Sequence, residues 1–79
     1  MVIKIIVMVR FETGDEELVS VKAIDKEPST EPLKSGVHKI LKEHSDEAVL
    51  YFTVRKWRGK EKSNWKFKTL EELESWLDK

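Results

Sequence analysis

One stretch limits the possible folds more than any other. Ile3, Ile5, Val7, Val9 and Phe11 take every second position of residues 2–12. A two-residue period puts these side chains on one face of an extended strand. β-Branched residues dominate the run, which favours a strand over a helix. Ile6 and Met8 add apolar side chains to the opposite face, so this strand is predicted at the centre of a sheet. Thr13-Gly14-Asp15-Glu16 reads as a turn, and residues 18–24 return as a second strand. So short a connection makes the pair an antiparallel hairpin.

The rest of the chain alternates between the two periodicities. Asp25 to Pro32 is a polar loop in which Ser29 or Thr30 can cap the following helix, and Pro32 suits a first turn. Leu33, Val37, Ile40 and Leu41 recur at helical spacing to about His44, with Gly36 as a weakening residue. A third strand is expected from Ala48 to about Trp57, a charged turn over 58–63, and a fourth strand over 64–68. Thr69 and Glu72 form a capping box ahead of the stripe Leu70, Leu73, Trp76 and Leu77. The order β-β-α-β-β-α predicts an α+β fold of two layers. A four-stranded antiparallel sheet would carry both helices on one face. In its element order this hairpin–helix–hairpin arrangement resembles β-grasp domains.

Length and composition remove several function classes. Seventy-nine residues are read as a single domain over 1–79. Such a chain buries only about 60% of the surface its unfolded form exposes. The absence of cysteine excludes disulfide, iron–sulfur and thiolate-zinc staples and fits a reducing, cytoplasmic setting. The apolar residues 1–10 have no basic segment before them and no small-residue cleavage site after them, so they are not read as a signal peptide. They also fall short of the roughly 20 apolar residues of a membrane span. Lys and Glu dominate the charged set, Gln is missing and Asn64 is the only Asn, a bias shared with thermostable proteins.

Net charge is zero, yet the charge is unevenly placed. Residues 55–68 hold Arg55, Lys56, Arg58, Lys60, Lys62, Lys66 and Lys68 against Glu61 alone. Alternation along the third strand assigns Leu50, Phe52 and Val54 to the core, joined by Trp65 and Phe67 of the fourth. Tyr51, Thr53, Arg55 and Trp57 then face away, with Asn64, Lys66 and Lys68. Pairing Val54 with Phe67 would set Arg55 beside Lys66 and Trp57 beside Asn64. Ile6 and Met8 point to the same outer face.

Three functional readings follow, none of them enzymatic. In the first, Arg55, Trp57, Arg58, Lys60, Lys62, Lys66 and Lys68 contact DNA or RNA. The cations would hold phosphate and Trp57 would stack on a base. A two-stranded ribbon can also enter a major groove. Residues 48–78, through Val54-Arg55-Lys56-Trp57-Arg58-Gly59-Lys60 and then 67–77, faintly resemble the hairpin and helix of AP2-type and integrase arm-type DNA-binding domains. Those domains have a further strand where this chain has a helix. In the second reading, Ile6, Met8, Tyr51 and Trp57 form an apolar patch for a homodimer or a protein partner, as in a small regulator or inhibitor. The third is a domain, designed or natural, that has no ligand.

Other chemistries find little support in the residue pattern. His38 and His44 are six residues apart on one helix and so point about 120° apart, which does not make a metal pair. His44-Ser45-Asp46 is contiguous, whereas a catalytic triad needs convergence in space. Asp15-Glu16-Glu17 lacks calcium-loop spacing. The three glycines are isolated and form no phosphate loop. No cofactor and no metal are expected.

Overall fold

The computed structural model describes residues 1–78, in the order β1 (Val2–Phe11), β2 (Glu16–Ile24), α1 (Glu31–Glu43), β3 (Val49–Arg58), β4 (Glu61–Phe67) and α2 (Leu70–Leu77). The strands form one sheet in the order β2-β1-β3-β4, with every neighbouring pair antiparallel. β1 is central, as its apolar residues on both faces require. The likeness to β-grasp domains is one of element order, and the central pair here, β1 and β3, is antiparallel.

Both helices cover the same face. Ile3, Ile5, Val7, Val9 and Phe11 of β1 and Phe52 and Val54 of β3 are buried, as are Leu33, Val37 and Ile40 of α1 and Leu73 and Leu77 of α2. All but Ile3 belong to one continuous cluster. Among the described residues no polar or charged residue is buried. Gly36 explains itself here. A Cβ at that position would lie 2.5 Å from Val19 Cγ1, so the missing side chain lets α1 sit directly on β2. Among the described residues no helix is long and apolar enough to cross a membrane.

The helix starts differ in detail. Thr69 caps α2 as expected, its hydroxyl oxygen accepting from the Glu72 amide at 3.2 Å. Thr30 makes no side-chain cap at α1. Its hydroxyl instead donates to the Leu77 carbonyl at 2.9 Å and fastens the start of α1 to the end of α2. Ser29 Oγ accepts weakly from the Glu31 amide at 3.3 Å.

Two expectations about β3 and β4 are overturned. Leu50 is 49% exposed rather than in the core. The β1–β3 register shifts at this point: Arg10 faces Tyr51, while Phe11 faces Val49. The bulge leaves Leu50 unopposed and lets Val49 take its place against the core. The second correction concerns the turn, expected over 58–63. It is only Gly59 and Lys60, because Arg58 already pairs with Glu61. Gly59 has φ +61°, and glycine at the first central position is what a tight hairpin turn of this hand uses. Glu61, Lys62 and Ser63 therefore extend β4, where an edge strand tolerates charge. Val54 consequently pairs with Trp65, not Phe67, a slip of two residues that preserves the faces but changes every neighbour.

Candidate nucleic-acid interface

The outer face of the sheet is built from the even-numbered residues of β1, β2 and β4 and the odd-numbered residues of β3 from Tyr51 onward. The observed register arranges them in rows across the strands. Leu18, Met8, Thr53 and Lys66 make one row, and Ser20, Ile6, Arg55 and Asn64 the next. Lys22, Lys4, Trp57 and Lys62 make a third. Arg10 lies between Glu16 and Tyr51 in a fourth. The face thus presents Lys4, Arg10, Lys22, Arg55, Lys62 and Lys66. Glu16, which is ion-paired to Arg10, is the only carboxylate among the described strand positions of this face. Among the described residues, no acid lies within ion-pair distance of Lys4, Lys22, Arg55, Lys62 or Lys66.

The aromatic side chains lie among these cations. Trp57 is half-buried between Lys4, whose Nζ is 6.0 Å from the ring centroid, and Lys62, at 5.5 Å. Lys66 Nζ lies 4.2 Å from the Tyr51 centroid. These are cation–π distances, worth roughly 0.5–1 kcal/mol at exposed sites. A shallow depression of about 280 Å³ opens among Thr53, Arg55, Lys62, Asn64 and Lys66.

The structure divides the residues picked out by sequence. Arg55, Trp57, Lys62 and Lys66 share the outer face with Ile6, Met8 and Tyr51. Lys60 sits in the turn, and Lys68 lies just past the end of β4. Arg58 belongs elsewhere. It points to the helix side, where its guanidinium and Lys56 Nζ both bond Glu27 Oε1, Lys56 at 2.9 Å. Hydrogen bonding from Lys56, with the Arg58 charge beside it, holds the Glu27 carboxyl below the usual range. Arg55 is opposite Asn64 rather than Lys66, and Trp57 is opposite Lys62 rather than Asn64.

Sequence reasoning also missed half of the face. Lys4, Arg10 and Lys22 come from the first hairpin, not the basic segment. Their signal was available: Lys4 is in phase with Ile6 and Met8, and Lys22 with Leu18 and Ser20. Only the register joins them to Trp57.

A second polar cluster lies at the opposite end of the fold from the Gly59 turn. His44, half-buried and stacked on Phe11 with centroids 4.5 Å apart, pairs through Nδ1 with Glu47. The Thr13 hydroxyl donates to the other Glu47 oxygen at 2.6 Å. Asp15, His44 and Glu47 offer ligand atoms within 4.8 Å of one another. Hydrogen bonding to Glu47 raises the His44 pKa, and bonds from Thr13 and then His44 lower that of Glu47. The imidazole–carboxylate pair and the Thr13 hydroxyl account for this arrangement. His38 is separate, 3.6 Å from Glu74 on the exposed helix side. Comparison with known protein families, curated proteins and solved structures finds no match to this chain, so its functional reading rests on the geometry of the sheet face.

Proposed function

We propose that this chain is a non-enzymatic, cytoplasmic binding module that contacts nucleic acid through the outer face of its sheet. The observation that carries the reading is the grouping of five cations with Tyr51 and Trp57 on one sheet face. On the helix side, Lys34, Lys56 and Arg58 have carboxylate partners, while Lys39 and Lys42 of α1 have none among the described residues. On the outer face, Lys4, Lys22, Arg55, Lys62 and Lys66 have no acid within ion-pair distance among the described residues, and Lys4 and Lys22 are direct cross-strand partners. Like charges opposite each other destabilise a sheet. A polyanion lying on the face relieves that repulsion and gains counterion release.

The test is a titration with oligonucleotides at several salt concentrations, followed by fluorescence anisotropy. Affinity should fall steeply with salt, because each phosphate held on B-DNA contributes about −0.9 to the log–log slope, or about −0.7 on a single strand. Absence of binding at low salt would sink the proposal.

One observation favours a second reading. Leu18 is 62% exposed and lies across from Met8, next to Ile6 in the adjoining row, which lengthens the apolar strip available to a second copy. Light scattering tests it. A dimer that Leu18→Lys dissociates would support this reading, and a monomer at high concentration would remove it.

A further inference from the structure

We infer that the ligand of this face is a single strand of nucleic acid lying along β3, not a duplex. The inference rests on the nucleic-acid reading above and adds the form of the ligand and its path. It starts from what the hairpin cannot do. A ribbon that enters a major groove must project from its domain, since the groove is only about 12 Å wide. Here β3 is paired to β1 from Val49 to Arg58, so the β3–β4 hairpin is not free. Only Gly59 and Lys60 lie beyond the paired residues, and the Gly59 amide donates to the Val2 carbonyl at 3.0 Å. The four-strand sheet itself, with neighbours about 4.8 Å apart and side chains added, is too broad for the groove.

The same face suits an unstacked strand. Tyr51 and Trp57 project from one side of β3, six residues apart, which is about 20 Å along the strand. Arg55 lies between them, and Lys62 and Lys66 line β4 beside them. Rings at both ends with cations alongside match the way single strands are held, with bases on aromatic faces and the backbone in a basic channel. The span corresponds to about four nucleotides, the lower end for a small single-strand-binding fold. Lys62 and Lys66, now near the rings, are in position to turn to phosphate.

The experiment compares labelled thymidine and uridine strands with a duplex of matching length at low salt. The proteins are the wild type, Trp57→Ala, Tyr51→Ala and Trp57→Phe, each checked for folding by circular dichroism. The expected result is single-strand binding at least about tenfold tighter than duplex binding. Each alanine variant should lose about tenfold while Trp57→Phe keeps its affinity. Duplex binding as tight as single-strand binding would overturn the inference and leave the nucleic-acid reading standing. Single-strand binding indifferent to both alanine changes would overturn the path along β3. Failure of both ligands to bind would remove the broader reading as well.

Discussion

Two sides of one strand can be compared residue by residue. On the helix side of β3, Lys56 and Arg58 share the carboxylate of Glu27, which the loop before α1 supplies. On the outer side, Arg55 lies between Ile6 and Asn64, with no carboxylate across from it. Further along the strand, Phe52 and Val54 are buried under the helices, while Tyr51 and Thr53 stay half-exposed. On its helix side β3 therefore pairs its two cations and buries its apolar side chains within the molecule. The outer side keeps both available. Cations without acids beside half-exposed rings are the combination that the proposed nucleic-acid contact would use.

The largest test of this contrast is truncation on each side of β3. Phe52→Ala should cost about 3–5 kcal/mol in urea unfolding, because it removes a core ring and leaves a cavity. Tyr51→Ala should cost under about 1 kcal/mol. Equal costs would break the comparison. Next is the contact between α1 and the sheet. Gly36→Ala gains helix propensity but drives a methyl into Val19, whose branched side chain must move. A net loss of about 1–2 kcal/mol is expected, recovered in part by adding Val19→Ala. A stabilised Gly36→Ala protein would show that α1 does not sit this closely.

Smaller effects sharpen the electrostatic side. Lys22→Glu turns a like-charged cross-strand pair with Lys4 into an opposite one and should stabilise the fold by about 0.2–1 kcal/mol. It should at the same time weaken oligonucleotide binding. Stabilisation with unchanged binding would take Lys22 out of the interface. The smallest effect is the pH dependence of Glu27. Its folded pKa is lowered, so its contribution is present above its ordinary value of 4.5 and is lost as pH falls through the lowered value. Because Glu27 is about half exposed, the gain is only a few tenths of a kcal/mol. Unfolding midpoints of wild type and Glu27→Gln should differ slightly at neutral pH and converge in strong acid. A gap that widens in acid would contradict the pairing.

Much of the fold was legible in the chain, and particular residues show why. The alternation from Ile3 to Phe11, the Thr69 cap on α2 and the helical spacing of Leu33, Val37 and Ile40 each follow from local geometry, which a linear pattern records. The candidate site was legible only in part. Arg55, Trp57, Lys62 and Lys66 stood out by local charge density. The faces of Arg55, Trp57 and Lys66 followed from the two-residue period, whereas Lys62 fell in the expected turn and reaches the face only because β4 begins at Glu61. Arg58 was misplaced because its partner, Glu27, is 31 residues away and approaches from the helix layer. Leu50 was misplaced because a bulge breaks the period that the reading depends on.

Sequence by itself determined the elements, their order and, away from the bulge at Leu50 and the hairpin turn, which side chains share a face, since periodicity and capping act over a few residues. Tertiary structure alone decided which residues are neighbours on the outer face. Register depends on a two-residue turn at Gly59 and on pairing between strands more than 40 residues apart, as between Lys4 and Trp57. That pairing joined Lys4 and Lys22 to the basic hairpin, so that cations from both hairpins share one face, while Glu27 of the loop before α1 holds Arg58 on the other.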